Sequence, residues 1–208
     1  MASFRVRGGK RLKGSITPQG AKNEALQIIS AVLLTGEPVH IHKIPAIRDV
    51  LKLIDLLADL GVQIEKTDEE SYRFTAKEVN LKFLDTEDFK EKASALRGSI
   101  MILGPLLARY GKGKMPKPGG DKIGRRRLDT HFVGFQKLGA KFNYDSATSF
   151  YTVDGSKLKG CYMHLDEASV TGTANIIMAA VLAEGLTTIY NAACEPYIQQ
   201  LCNMLVRM

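Results

Sequence analysis

The stretch 111–127 reads GKGKMPKPGGDKIGRRR and concentrates more potential chemistry than any other part of the chain. It carries seven cations (Lys112, Lys114, Lys117, Lys122, Arg125, Arg126 and Arg127), one acid, Asp121, and five glycines. Glycines let backbone N–H groups approach a ligand closely, and the cations favour an anion. The stretch therefore reads either as a mobile anion-binding loop, a lid over a site, or as a solvated basic surface. Gly119 and Gly124 have the spacing of a phosphate-binding P-loop. Arg125 and Arg126 stand where that loop needs Lys followed by Ser or Thr, which excludes it. Three smaller groups share the anionic preference. Lys22 and Asn23 follow Gly20-Ala21 at a helix start, where a lysine adds charge to an end that already attracts anions. Arg97 sits in Leu96-Arg97-Gly98-Ser99. Ser169 opens the turn Ser169-Val170-Thr171-Gly172 before another helix. Taken singly, these also fit an exposed helix start, a surface arginine and an ordinary cap.

Other candidates are weaker. His40 and His42 share a strand face with no third metal ligand near them in sequence, so an exposed alternating strand is the better reading. His131 reads as a structural or loop-contacting residue. Cys161, Cys194 and Cys202 have no metal spacing, and Cys194 and Cys202 read as buried thiols.

The elements that must position these residues alternate between helix and strand. Residues 21–35 have helical periodicity, with an apolar face at Ala25, Ile28, Ile29, Val32 and Leu33, and Gly36 ends them. Residues 39–43 alternate as a strand. Pro45 opens a helix over 47–60 that stops at Gly61. Residues 62–66 and 72–76 form a strand pair around an acidic turn. Thr86 caps a helical stretch, and 94–109 reads as a helix kinked near Gly104-Pro105. After the basic loop come a helix over 128–138, a hairpin over 140–144 and 150–153, a helix from Gly172 to Ala183, a strand at 187–190 and a helix from Pro196. The pattern repeats: IISAVLLTG at 28–36 matches IMAAVLAEG at 177–185, with LGPLLARYG at 103–111 a weaker copy. A second helix follows each copy. The first two of these end in Leu-Gly, at 60–61 and 138–139; the third stops at Arg207-Met208 before its closing strands. No glycine fingerprint follows a first strand, so the pattern is not a Rossmann fold.

Residues 118–131, PGGDKIGRRRLDTH, resemble the active-site loop of the enolpyruvyl transferases that act on UDP-N-acetylglucosamine, whose usual form is Pro-Gly-Gly-Cys-x-Ile-Gly-x-Arg-Pro-x-Asp-x-His. Asp121 replaces the family's reactive Cys, a variation known within the family, and Arg127 replaces its Pro. Gly20-Ala21-Lys22-Asn23 matches the family's substrate-contacting motif, Arg97 its arginine on the phosphate side, and the Ser169 turn its Ser-Val-Gly diphosphate-binding turn. These motifs lie in family order over essentially the whole chain. The resemblance implies an α/β fold, an inside-out α/β barrel domain of three helix–strand repeats with helices inward, sheets outward and the last repeat truncated. Residues 21–208 form that domain, and 1–20 are a strand segment belonging with a second domain that this chain lacks.

The implied reaction transfers enolpyruvyl from phosphoenolpyruvate to the 3-hydroxyl of UDP-N-acetylglucosamine, the first committed step of peptidoglycan synthesis, with no metal or organic cofactor. The carried-over roles are anion binding by Lys22, Arg97 and Arg126, orientation by Asn23, and catalysis by Asp121 with Lys22. Arg126, Arg127, Leu128, Asp129, Thr130, Glu167, Ala168, Ser169 and Val170 line the nucleotide site. A carboxyl is ordinarily ionised near neutral pH, where a thiol keeps its proton. Asp121 therefore serves as an acid only if a closed lid desolvates it or a substrate phosphate repels its charge.

Composition narrows the alternatives. With 29 Lys and Arg against 22 Asp and Glu, the formal charge is +7, which suits nucleic acid, membrane or phosphorylated metabolite alike. The longest uncharged run, 168–183, is too short and too polar to span a bilayer. The N-terminus has no apolar secretory region, and three unpaired-looking cysteines suit a reducing, cytoplasmic setting. Two other functions stay open at this point. One is the sister enzyme acting on shikimate phosphate, against which the loop from Gly119 to His131 and the Ser169 turn argue. The other is a basic nucleic-acid-binding module, against which the absence of aromatics interleaved in 111–127 argues.

Overall fold

The computed structural model describes residues 3–117, 119 and 128–208. Its elements run in the order α1 (Lys22–Ala31), β1 (Val39–Ile41), α2 (Arg48–Asp59), β2 (Gln63–Lys66), β3 (Tyr72–Thr75), α3 (Glu87–Ser94), α4 (Leu103–Tyr110), β4 (Lys112–Pro116), α5 (Asp129–Lys137), β5 (Lys141–Asp145), β6 (Phe150–Asp154), β7 (Tyr162–His164), α6 (Val170–Ala180), β8 (Thr188–Tyr190) and α7 (Pro196–Arg207). The three repeated segments become α1, α4 and α6. The repeated segments themselves are largely apolar, which suits helices surrounded by other elements. Accordingly α6 packs against both α4 and α1 at the centre. Ile29, Leu33, Leu106, Ala174 and Met178 meet there, all buried.

Each central helix hands the chain to an outer strand. In the first unit β3 is the middle strand, antiparallel to β1 and β2, with Val39 opposite Phe74 and Gln63 opposite Thr75. The second unit repeats this with β6 between β4 and β5. In the third unit β8 pairs in parallel with β7, Met163 facing Ile189. The second helices α2 and α5 close their units with a glycine in the left-handed region, Gly61 at φ 92° and Gly139 at φ 99°, where an L side chain is strained.

Three local expectations are corrected. The predicted helix over 94–109 is interrupted earlier than Gly104-Pro105. Helix α3 ends at Ser94, Leu96 is extended, and a 3-10 turn over Arg97–Ile102 leads into α4. Pro105 falls in the first turn of α4, where a missing N–H costs little. The basic stretch is not all loop. Gly111 caps α4 at φ 68°, and Lys112–Pro116 then forms β4, burying Gly113 and Met115 while Lys114 reaches Asp85 at 2.9 Å. Lysines on the outward positions hid this alternation. Finally, α6 begins at Val170 rather than after Gly172. The Ser169 hydroxyl accepts from the Gly172 N–H at 3.2 Å, so the serine is the N-cap.

Candidate active site

A cleft of about 720 Å3 opens where the N-terminal ends of α1, α2 and α6 approach the 3-10 turn at Arg97. Lys22 and Asn23 stand in the first turn of α1, whose entry passes close over the chain at Lys43. A side chain at Gly20 would run into the Lys43 carbonyl. Lys22 is ion-paired to Asp49, in the first turn of α2, and both remain partly exposed. Arg48 and Lys52, four residues apart on α2, line the same wall, and the Lys52 ammonium donates to the Ala95 carbonyl at 3.4 Å. Arg97 begins the 3-10 turn. Gly98 behind it lets the turn press on Leu26, because an added Cβ would stand 3.0 Å from that side chain.

The opposite wall comes from α5 and α6. Leu128 precedes α5, and Glu167, Ser169 and Thr171 lie at the start of α6. Thr130 joins the two elements, its hydroxyl donating to Glu167 Oε1 at 2.8 Å. Beneath them lies His131, 2% exposed, with both ring nitrogens engaged: Nδ1 at 3.0 Å from Asn175 Nδ2, and Nε2 at 3.3 Å from Thr171 Oγ1. Burial, with the nearby Arg97 charge, lowers its pKa to about 4, so it is neutral at ordinary pH. On the floor Gln27 is buried, and neither its Nε2 nor its Oε1 has a hydrogen-bond partner among the described residues.

Among the described lining residues, four cations (Lys22, Arg48, Lys52, Arg97) face two carboxylates (Asp49, Glu167), one of them already paired with Lys22. Such a cleft has a surplus of positive charge and several helix N-termini, the combination that holds a phosphorylated or carboxylated ligand. Of the residues singled out in the sequence, Lys22, Asn23, Arg97, Leu128, Glu167 and Ser169 line this one cleft. Thr130 touches it through Glu167. Asp129, Ala168 and Val170 lie beside it in α5 and at the start of α6 without forming its wall. Asp121, Arg126 and Arg127 lie outside the described residues. The described ends of that segment sit at the cleft. Gly119 packs on the Ser94 carbonyl next to Ala95, a lining residue, and Leu128 lines the cleft itself.

Sequence reasoning missed Gln27, Arg48, Asp49, Lys52 and Thr171. A signal existed for two of them: Gln27 is four residues after Asn23, one turn further along the same face of α1, and Thr171 lies inside the turn already singled out. Nothing in the run Arg48-Asp49-Val50-Leu51-Lys52 separates it from an ordinary amphipathic helix surface. His131 is the structural residue expected. His42 bonds Ser71 at 3.0 Å, and no group of three or more His, Cys, Asp or Glu suited to a metal occurs among the described residues. No helix among them is long and apolar enough to cross a membrane.

Residues 6–208 match the profile of the family described as EPSP synthase (3-phosphoshikimate 1-carboxyvinyltransferase). Among curated proteins, the UDP-N-acetylglucosamine 1-carboxyvinyltransferase of Bacteroides fragilis (strain ATCC 25285) is 61% identical over 208 residues, covering 100% of this chain and 48% of the relative. The protein of the same name from Porphyromonas gingivalis is 60% identical with the same coverage. The chain thus spans about half the length of these curated relatives. Among solved structures, the enolpyruvyl transferase NikO from Streptomyces tendae aligns at TM-score 0.72 and 17% identity, over 96% of this chain and 45% of that one. EPSP synthase from Acinetobacter baumannii aligns at TM-score 0.65 and 20% identity, over 93% and 44%. These two likenesses establish the fold, which is that of the enolpyruvyl transferases.

Proposed function

The chain belongs to the EPSP synthase family, and on that premise we propose that it supplies one wall of an enzyme moving enolpyruvyl from phosphoenolpyruvate to the 3-hydroxyl of UDP-N-acetylglucosamine. The choice of UDP-N-acetylglucosamine over shikimate 3-phosphate rests on the 61% identity, across all 208 residues, to a relative bearing that activity's name. The observation that carries the site is the meeting of Lys22, Asn23, Arg97, Leu128, Glu167 and Ser169, drawn from four separate segments, around one cationic cleft.

In this reading Lys22 and Arg97 hold the anionic groups of the two substrates, and Asn23 orients the sugar. The N-terminus of α6 with its Ser169 cap receives the diphosphate. Residues 126–130 complete the nucleotide side. In the addition step, C3 of phosphoenolpyruvate gains a proton, and the sugar oxygen, losing its own, bonds to C2. In the elimination step, the tetrahedral intermediate loses phosphate from C2 and a proton from C3, which restores the double bond. Asp121 is the group we assign to this proton traffic in the loop, where relatives by the loop's usual form carry a thiol. Its charge must be suppressed when it acts as an acid, either by desolvation in a closed loop or by repulsion from a substrate phosphate. Lys22, paired with Asp49, is held ready beside the reacting carbons. No metal or cofactor enters these steps.

Residues 1–20 we assign to a second domain that closes the cleft. The described part of this segment forms no helix or strand, and Phe4, Val6, Leu12 and Ile16 are almost wholly exposed, Phe4 and Leu12 at 97%. Apolar side chains spaced in this way are normally covered by a partner sheet or helix.

The test is binding of UDP-N-acetylglucosamine to the chain by NMR titration. Lys22→Ala and Arg97→Ala should each weaken it at least tenfold, while Lys66→Ala, on the outer strand β2, should not. Equal binding by all four proteins would place the ligand elsewhere and refute the assignment.

A further inference from the structure

We infer that Thr171 is a ligand-binding residue whose hydroxyl donates a hydrogen bond to a phosphate oxygen of the nucleoside-diphosphate sugar, held in that sense by the buried pair His131 and Asn175. The inference rests on the reading given under Proposed function for the ligand's class, and it adds a donor and the device that orients it.

Asn175, wholly buried in α6, accepts from the Gly104 N–H through Oδ1 at 2.8 Å. Its Nδ2 donates to the Ile100 carbonyl at 2.8 Å. These two bonds fix the amide: turned over, Oδ1 would face a carbonyl and Nδ2 an N–H. The second hydrogen of Nδ2 points at His131 Nδ1, 3.0 Å away. His131 Nδ1 is therefore an acceptor without a proton, and the neutral ring carries its proton on Nε2. That N–H donates to Thr171 Oγ1 at 3.3 Å. One of the two lone pairs of the hydroxyl is thus occupied from inside the fold. Its own proton meets no other acceptor among the described residues, and Thr171 is exposed on the cleft wall.

A hydroxyl held in this way has its proton available to the cleft. It stands in the first turn of α6, next to the Ser169 cap, in a cleft with surplus positive charge. An anionic oxygen is the group that such a donor selects. Gly104 makes the arrangement possible, because any side chain there would collide with the Asn175 carbonyl and Oδ1. His131 and Asn175 are positioning residues: Asn175 holds His131, His131 touches Thr171, and Thr171 touches the ligand.

Two measurements on the whole chain test this. In a 15N-edited NMR spectrum of the histidine side chains, His131 should show a protonated Nε2 and a bare Nδ1 at neutral pH. A proton on Nδ1, or a doubly protonated ring, overturns the orienting device whatever the ligand does. In calorimetric titration with UDP-N-acetylglucosamine and with UDP, Thr171→Val should bind both about tenfold more weakly or worse, the loss expected for a hydrogen bond to a charged group, while Thr171→Ser stays within about twofold of wild type. Wild type and Thr171→Val binding equally would overturn this inference alone. Failure of the wild type to bind either nucleotide would overturn the reading it rests on and this inference with it.

Discussion

At the scale of residues, the cleft joins partly exposed charges to a buried polar floor. The Lys22–Asp49 pair is solvent-accessible on both sides, so its contribution to stability is small, up to about 1 kcal/mol. Its importance lies in where it holds the lysine. His131 is the opposite case. Folding holds its ring neutral, with a pKa near 4 against an ordinary 6.5. A histidine shifted downward contributes stability that is fully present above 6.5 and is lost as pH falls from 6.5 through 4, because the unfolded chain takes up the proton first. The shift corresponds to roughly 3 kcal/mol at the acid end of that window. Urea unfolding of wild type and of His131→Gln at pH 7 and pH 4 should therefore show the variant losing less stability on acidification. Identical losses would mean that the imidazole is not held neutral. The types of the site residues were legible in the sequence: Lys22, Asn23, Arg97 and Ser169 each sit in a short motif with a chemical preference for anions. Gln27 and Arg48 were not, because a polar residue on a helix face announces neither its burial nor which cleft it lines.

At the scale of elements, the internal repeat carried most of the fold. Its three copies became α1, α4 and α6, and the Leu-Gly endings marked where α2 and α5 turn into strands. The misplaced boundaries have local causes. Pro105 looked like a helix breaker but lies in a first turn, and the real interruption, at Ala95-Leu96, has no Gly or Pro to mark it. Strand β4 was hidden because its outward residues are lysines and one of its inward residues is a glycine. Strand β7, three residues long, gains its identity only from pairing with β8. Helices α4 and α6 of neighbouring repeats approach closely at Gly104 and Asn175. Gly104→Ala should push those helices apart and break the Asn175 hydrogen bonds, destabilising the chain by about 3 kcal/mol in urea unfolding. A change below about 0.5 kcal/mol would show that the contact yields freely and does not fix the position of His131.

At the scale of the whole molecule, the chain has a complete core but an open site. Three repeated helices are buried together, while the cleft at their ends opens to solvent between its two described walls. The chain matches its curated relatives along its full length and covers about half of theirs. We propose that the remaining catalytic groups, and the cover for the exposed N-terminal segment, lie in a second domain. Transition-state stabilisation needs donors converging from all sides in a site closed to water, so the chain by itself should bind substrate and turn over none. The family profile is described by a shikimate-phosphate enzyme, whereas curated relatives 60% and 61% identical are named for UDP-N-acetylglucosamine, so ligand choice is the deciding point. The direct measurement is a parallel NMR titration of the 208-residue chain with UDP-N-acetylglucosamine and with shikimate 3-phosphate. The account predicts shifts centred on Lys22, Asn23, Arg97 and Ser169 with the UDP-sugar, and binding at least tenfold tighter than that of shikimate 3-phosphate. Preference for shikimate 3-phosphate at the same residues would contradict it.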